Sequence, residues 1–278
     1  MNIQDLLKQA SQQLSADSDS PRLDAEVLLC HVLAKQRSYL MTWPEQELSS
    51  AQLDQFQQLL DARLTGHPVA HLIGKREFWS LSLKVTPDTL IPRPDTELLI
   101  EQILHAYPDD TELSLLDLGT GSGAIAIALA SERPSWRIIA TDLSEQALQV
   151  AQQNATSLKL KNIEFRQGHW FAPVQDLHFD IIVSNPPYVP SNDPHLSQGD
   201  VRFEPLSALV SGEEGLDDIE HICQQAMGHL NPGGLLIIEH GYDQAEKIRP
   251  IFTKNNYKNI HHYRDMANNV RATSGNKY

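Results

Sequence analysis

From about residue 113 onward, short apolar strand patterns alternate with helical patterns, and the first strand leads into a glycine-rich turn. Residues 115–118 predict a buried strand, and three glycines over 119–123 precede an apolar helix over 124–131. A second strand over 136–141 ends at Asp142. A strand, a tight turn, a helix and a second strand pack as a right-handed βαβ unit. The pattern predicts a doubly wound, mostly parallel α/β sheet with helices on both faces.

The chain after Asp142 continues this alternation. Ser144 predicts a capped helix start, and a further helix is predicted over 216–230. Strand patterns recur near residues 163–166, 180–184 and 235–239, and a late one contains His261 and His262.

The first 75 residues predict helices by their apolar periodicity. Ser20 followed by Pro21 predicts a serine-capped start with proline at the first helical position. A third helix is predicted over 50–64, ending before Gly66. Such a small bundle is more typical of partner recognition than of chemistry.

Between these regions, apolar and polar residues alternate over 76–90, which predicts a β-hairpin. We therefore expect a helical recognition domain over 1–75, a β-hairpin linker over 76–92 and an α/β domain over 93–278.

The composition indicates an acidic protein with ordinary core content. The chain of 278 residues has 22 basic and 36 acidic side chains, a net charge of −14, which disfavours a general nucleic-acid binder. Two cysteines without an export signal favour reduced thiols and a cytoplasmic location. We expect no membrane span and no metal. His67 and His71 lack an intervening acid and a third ligand, so they predict no metal site.

The turn at 117–123 reads Asp-Leu-Gly-Thr-Gly-Ser-Gly and predicts a cofactor loop. Glycines allow close backbone approach, and Asp142 can accept both hydroxyls of a ribose. The GxGxG spacing departs from the GxGxxG of dinucleotide sites. Asp117 adds a carboxylate that suits an ammonium and a sulfonium better than a pyrophosphate. The predicted cofactor is S-adenosylmethionine, with S-adenosylhomocysteine as product.

Residues 185–188, Asn-Pro-Pro-Tyr, follow the strand predicted at 180–184. The two prolines have fixed φ and no N–H, so the segment is a stiff shelf with an amide, bare carbonyls and an aromatic ring. These groups suit a planar substrate with an –NH2 group. A proline-rich loop that only ends a strand is the alternative.

These motifs, in this order, resemble class I methyltransferases that act on a planar nitrogen. Four further stretches are similar to the release factor glutamine methyltransferase family, also called PrmC or HemK. They are residues 74–79, 90–97, 201–205 and 264–271. The resemblance runs end to end. It implies a seven-stranded sheet and a substrate in the Gly-Gly-Gln loop of class I peptide chain release factors, whose glutamine amide nitrogen (N5) is methylated. The expected enzyme supports translation termination as a monomer, without contacting nucleic acid directly.

The resemblance also implies site residues. Glutamine would be held by Asn185, Pro186, Pro187 and Tyr188, of which Asn185, Pro186 and Tyr188 are the expected catalytic residues. One departure concerns His169, which stands where many class I methyltransferases have an acidic residue near the adenine, so stacking by Trp170 is expected instead. A buried core aromatic is the alternative for Trp170. The expected cofactor-binding residues are Asp117, Gly119, Thr120, Gly121, Ser122, Gly123, Asp142, Trp170 and Asn185.

Several alternatives stay open at this point. Arg93, Thr96 and Glu97 either line the site or form a helix start rich in acids. The competing functions are an N6-adenine methyltransferase, a methyltransferase for another protein glutamine, and a non-catalytic binding module with the same fold.

Overall fold

The computed structural model describes residues 1–16 and 18–278. These residues form two compact units, Met1–Lys75 with His195–Phe203, and Arg76–Pro194 with Glu204–Tyr278. Residues 195–203 thus group with the N-terminal helices, which no change of composition in the sequence indicates. The domain boundaries expected from the sequence stay a prediction.

The first unit consists of α-helices. They are α1 (Ile3–Leu14), α2 (Pro21–Leu33), α3 (Arg37–Thr42), α4 (Ser50–Leu64) and α5 (Val69–Ile73). The three longer helices were predicted, but α3 and α5 are too short to show an apolar period. The unit has its own core, in which Leu7, Leu28, Phe56 and Leu60 are buried.

The predicted serine cap of α2 is wrong in one respect. Pro21 does begin the helix, but Ser20 makes no capping hydrogen bond with its side chain. The Ser20 hydroxyl donates instead to Asp24 Oδ1 at 3.1 Å, and Arg63 Nε donates to Asp24 Oδ2 at 2.9 Å. The charged, nearly buried Asp24 carboxylate is the stronger acceptor for the hydroxyl.

Residues 195–203 attach to this unit through polar and ring contacts. Arg63 Nη1 donates to Asp200 Oδ1 at 2.9 Å, and Arg202 Nη2 donates to the Thr65 carbonyl at 2.8 Å. The rings of His67 and Phe203 are 4.4 Å apart. His67 therefore serves packing in this unit.

The second unit contains a two-stranded sheet, β1 (Lys75–Phe78) with β2 (Leu81–Lys84), and a seven-stranded sheet in the order β5-β4-β3-β6-β7-β9-β8. The pairs from β5 to β7 are parallel, and β9 is antiparallel to both neighbours. The predicted doubly wound, mostly parallel sheet of seven strands is confirmed. Its strands are β3 (Ser114–Leu118), β4 (Arg137–Asp142), β5 (Ile163–Gln167), β6 (Phe179–Ser184), β7 (Leu230–Glu239), β8 (Lys258–Arg264) and β9 (Val270–Asn276).

Side chains alternate between two cores on the two faces of the sheet. On β6, Ile181 and Val183 pack in the core that contains α7 (Ala124–Glu132). Ile182 packs in the core that contains α9 (Asp217–His229) and α10 (Ala245–Lys254). This period of two is the expected pattern for strands covered on both faces. This unit also contains α6 (Glu97–Ala106) and α8 (Glu145–Ser157).

The register brings the carboxyl ends of the parallel strands to one edge. Leu118 of β3 lies opposite Thr141 of β4 and Ser184 of β6, and Ser184 lies opposite Ile238 of β7. The connections leave β3 in opposite directions, which opens a crevice at this edge. Within residues 1–16 and 18–278, no helix is both long and apolar enough to cross a bilayer.

Candidate active site

The glycine loop between β3 and α7 has a backbone that only glycine adopts readily. Gly119, Gly121 and Gly123 have φ of +70°, +57° and +87°. A Cβ at Gly121 would meet no atom within 4 Å, whereas a Cβ at Gly123 would lie 2.7 Å from Ile127 Cδ1. Gly121 thus leaves open space for a ligand. A Cβ at Gly123 would also lie 3.1 Å from Ala151 Cβ, so Gly123 allows the start of α7 to pack closely against α8.

Asp117, the residue before Leu118 at the end of β3, stabilises this loop through hydrogen bonds. Its side chain is fully buried, and Oδ2 accepts hydrogen bonds from the Thr120 hydroxyl at 2.6 Å and from the Ala126 N–H at 3.2 Å. Oδ1 has no hydrogen-bond partner among the described residues. Burial raises the pKa of Asp117 to about 7. Ser122 is also buried, and its carbonyl accepts from Asn154 Nδ2 at 2.9 Å.

Asp142 ends β4 and contacts the same loop. Its Oδ2 accepts from the Gly121 N–H at 2.8 Å, and its Oδ1 accepts from the Ser144 N–H at 2.9 Å. Burial raises the pKa of Asp142, against the effect of these backbone donors. Ser144 caps α8 as predicted, because its hydroxyl accepts from the Ala147 N–H at 3.1 Å. The carboxylate is thereby held in one orientation.

The Asn-Pro-Pro-Tyr segment directly follows β6, as predicted. The Tyr188 N–H donates to the Leu209 carbonyl at 3.1 Å, and the Tyr188 carbonyl accepts from Gln244 Nε2 at 3.0 Å. A Cβ at Gly215 would lie only 2.2 Å from the Tyr188 carbonyl oxygen, so the segment packs tightly. The shelf is therefore fixed at its far end by three separate parts of the chain.

The side chains of this segment are also held. Asn185 Nδ2 donates to Thr96 Oγ1 at 3.1 Å. The Tyr188 hydroxyl donates to Glu239 Oε1 at 3.1 Å. Burial raises the pKa of Tyr188 and raises that of Glu239 to about 7.

The glycine loop and the shelf border one cavity of about 250 Å³. Six of the expected site residues line it, namely Gly119, Gly121, Asp142, Trp170, Asn185 and Pro187. Six others are not among the residues that line it: Asp117, Thr120, Ser122, Gly123, Pro186 and Tyr188. Their roles in binding stay predictions.

Trp170 lies on the cavity wall and in the core at once. It packs against the core that contains α9 and α10, and its ring would be 3.4 Å from a Cβ at Gly119. Its φ of +46° is unusual for a bulky residue, which indicates a backbone held there by its surroundings. The buried indole Nε1 has no hydrogen-bond partner in the described part of the chain. Trp170 is therefore a partly buried core aromatic that also lines the cavity, and its stacking on the adenine stays a prediction.

Comparison with known proteins identifies the family. Residues 5–74 match the PrmC N-terminal domain, and residues 109–276 match a methyltransferase domain. The release factor glutamine methyltransferase of Vibrio cholerae is 54% identical over 278 residues, covering 99% of this chain and 96% of that protein. That of Escherichia coli K12 is 49% identical, with 100% of both chains covered. The chain belongs to the release factor glutamine methyltransferase family. The family predicted from the sequence is confirmed.

Solved structures agree on the fold of this family member. A methyltransferase from Pyrococcus furiosus matches with a TM-score of 0.52 at 20% identity, over 71% of this chain and 89% of that one. The hMettl16 catalytic domain, in complex with a MAT2A 3'UTR hairpin, matches with a TM-score of 0.59 at 16% identity, over 79% and 82%. At such identities the likeness concerns the fold alone.

Sequence reasoning missed several residues at the methyltransferase site. Asp88, Thr89 and Leu90 line the cavity, as do Asp218 of α9 and the exposed His169. No local motif marks these residues, because tertiary packing brings them to the cavity.

Arg93, Thr96 and Glu97, whose roles the sequence left open, make different contacts in the methyltransferase. The buried Glu204 accepts from the Ile91 N–H at 2.9 Å and forms an ion pair with Arg93. Glu97 Oε1 accepts from the Trp79 N–H at 2.7 Å. Arg93 and Glu97 therefore hold loops in place, whereas Thr96 contacts Asn185 directly.

Proposed function

We propose that this chain transfers a methyl group from S-adenosylmethionine to the side-chain amide nitrogen (N5) of a glutamine in class I peptide chain release factors. The glutamine is that of their Gly-Gly-Gln loop. The observation that carries the proposal is that Asn185 and the glycine loop line one cavity. Family membership supports the glutamine substrate, because relatives named release factor glutamine methyltransferase are similar over their whole length.

The residues of the cavity fit S-adenosylmethionine. Asp142 is fixed by two backbone donors and has further lone pairs for the hydroxyls of a ribose. Gly121 leaves room beside it, and the buried Trp170 Nε1 is a donor in need of an acceptor. When bound, the cofactor supplies a methyl group activated by its sulfonium. Asp117, buried next to the glycine loop, would then stabilise the positively charged methionine part of the cofactor.

The shelf would recognise the substrate by its two amide protons. A primary amide has two N–H donors, for which we assign Asn185 Oδ1 and the Pro186 carbonyl as acceptors. Positive charge develops on the nitrogen during transfer, so both hydrogen bonds strengthen in the transition state. The fixed backbone of the two prolines holds the acceptors without reorganisation. No strong general base is required, because the methylated nitrogen is acidic and releases its proton to water.

Pro187 and Tyr188 would hold the aliphatic part of the glutamine. Pro187 lines the cavity, and the hydrogen bond from Tyr188 to Glu239 fixes the position of the aromatic ring. Packing against these rings orients the amide toward the methyl donor, which supplies proximity. We place this reaction in the cytoplasm, with the enzyme acting as a monomer and without a metal.

The test is to incubate the protein with labelled S-adenosylmethionine and three substrates. These are a release factor, the same factor with its Gly-Gly-Gln glutamine changed to alanine, and an adenine-containing duplex. We expect label only on the unmodified release factor, at that glutamine by mass spectrometry. Label on the duplex would indicate an adenine methyltransferase, and label at another glutamine would indicate a different protein target. No label on any substrate would favour a binding module.

A further inference from the structure

We propose that Asp218 recognises the adenine of S-adenosylmethionine by accepting a hydrogen bond from its exocyclic amino group. The proposal rests on the proposed function, in which the cavity binds that cofactor. Asp218 is then a specificity-determining residue, which favours adenine over a base that has a carbonyl oxygen at the same position. This role is separate from methyl transfer, which takes place at the other end of the cofactor.

The order of the strands indicates that the base lies at the β5 end of the cavity. Asn185 follows β6, the glycine loop follows β3, Asp142 ends β4, and His169 lies in the turn after β5. These strands are neighbours in the order β6-β3-β4-β5. Neighbouring strands are about 4.8 Å apart, so the turn after β5 lies about 14 Å from the end of β6. With the sulfonium near Asn185 and the ribose at Asp142, the adenine extends toward β5.

Helix α9 reaches the same end of the cavity. The ring of His221 of α9 lies 5.7 Å from the ring of His169. Asp218 precedes His221 by three positions, so the two side chains are neighbours on one face of the helix. Asp218 and His169 both line the cavity, whereas the exposed Asp217 is not among the residues that line it. The contact between the two rings therefore brings the Asp218 face of α9 to the turn after β5.

Asp218 is held by its backbone and has an available carboxylate. Its N–H donates to the hydroxyl of the buried Ser211 at 2.8 Å, which fixes the first turn of α9. Among residues 1–16 and 18–278, no group donates a hydrogen bond to the Asp218 carboxylate or forms an ion pair with it. The side chain is half-buried, so a ligand in the cavity is the partner that its position favours.

The same side of the cavity has two buried polar groups that lack a partner. In the described part of the chain, Thr141 Oγ1 and Trp170 Nε1 form no hydrogen bond, and both residues line the cavity. Side chains alternate along β4, so Thr141 shares the face of Ile139, which packs with Trp170 against the core that contains α9. Buried polar groups normally have partners, so these two indicate a polar ligand on the α9 side.

The chemistry of this side matches the edge of adenine. Adenine has an amino donor beside ring nitrogens that accept. An ionised carboxylate accepts hydrogen bonds and donates none, so Asp218 pairs with an amino group and not with a carbonyl oxygen. The Thr141 hydroxyl can donate, which suits a ring nitrogen. Hypoxanthine has a carbonyl oxygen in place of the amino group, so it would set one acceptor against another and bind less tightly.

The experiment is calorimetry with two product ligands. They are S-adenosylhomocysteine and S-inosylhomocysteine, which has hypoxanthine in place of adenine. Wild-type protein should bind the adenine ligand about 10- to 100-fold more tightly. Asp218→Asn has the same shape, and its amide can donate to a carbonyl oxygen, so the preference should fall below about threefold. Asp218→Ala, which has no polar group at this position, should lose the preference as well.

Asp217→Asn is the matched control, because it removes a charge from the same turn of α9 at a residue that is exposed. It should keep the full preference for the adenine ligand. A wild-type preference in both Asp218 variants overturns the inference while the proposed function stands. Loss of the preference in Asp217→Asn, or in His169→Leu with Asp218→Asn unaffected, also overturns it. Wild-type protein that binds neither ligand overturns the proposed function and this inference with it.

Discussion

The Asp142 carboxylate accepts a hydrogen bond from the Gly121 N–H at 2.8 Å, which joins the end of β4 to the tip of the glycine loop. The same carboxylate accepts from the Ser144 N–H at the start of α8. One side chain therefore fixes a loop and a helix that both border the cavity, and it remains available to a ligand.

Replacement of Asp142 by alanine should weaken cofactor binding about 10- to 100-fold, because hydrogen bonds to a charged group are lost on ligand binding. Turnover at saturating cofactor should change less. Isothermal titration calorimetry with S-adenosylmethionine measures the effect. Glu145→Ala, an exposed acidic residue in the first turn of α8, is the matched control. Equal affinities of the two variants would contradict the assignment of Asp142.

Replacement of Gly121 by alanine should separate backbone strain from ligand contact. Gly121 and Gly74 have φ of +57° and +69°, and a Cβ at either would meet no atom within 4 Å. Both substitutions should therefore lower the free energy of unfolding by about 1 to 2 kcal/mol. Only Gly121→Ala should also weaken cofactor binding, since Gly121 lines the cavity. Urea unfolding measures the free energy of unfolding, and calorimetry measures cofactor affinity. Unchanged cofactor affinity in Gly121→Ala would show that the cofactor does not approach the Gly121 backbone closely.

Replacement of Asn185 by alanine should leave cofactor affinity largely intact and lower kcat about 100- to 1,000-fold. In the proposed mechanism, the Asn185 carbonyl stabilises charge that develops only in the transition state, as the donors of an oxyanion hole do. Single-turnover methylation of a release factor, with cofactor affinity measured in parallel, provides the check. A variant with near-normal turnover would show that Asn185 is not the acceptor.

The contribution of Asp117 to the free energy of unfolding of the free protein should fall as pH rises between about 4 and 7. Burial raises the pKa of this carboxyl from 3.8 to about 7, so the folded state keeps a proton that the unfolded state releases. Asp117→Asn resembles the protonated acid and should remove this dependence, a change of up to roughly 4 kcal/mol across the window. Urea unfolding over a pH series measures it.

The control for that series is Asp54→Asn, on the exposed part of α4. For this variant, the free energy of unfolding plotted against pH should remain parallel to that of the wild type. Parallel curves for Asp117→Asn as well would mean that the folded state holds Asp117 ionised.

The sequence predicted the βαβ frame and the shelf because their signals are local. The glycines over 119–123 need positive φ, and the prolines at 186 and 187 cannot extend the paired strand, so each motif determines its own conformation. The supporting contacts were not predictable in this way. Gln244 reaches Tyr188 across 56 positions and Thr96 reaches Asn185 across 89, and no periodicity relates such distant residues.

The antiparallel strand β9 has a consequence for how this enzyme is made. Glu239 pairs with Ala272 of β9, and β8 has only β9 as a neighbour in the sheet. A nascent chain that has left the ribosome only as far as β8 therefore has an incomplete sheet, with Glu239 uncovered along one side. β9 must therefore pair with β7 before Glu239, which accepts from the Tyr188 hydroxyl, is closed off on that side. The carboxyl that holds the Tyr188 hydroxyl is thus covered only after β9 emerges, well after the glycine loop and the Asn-Pro-Pro-Tyr segment have been synthesised.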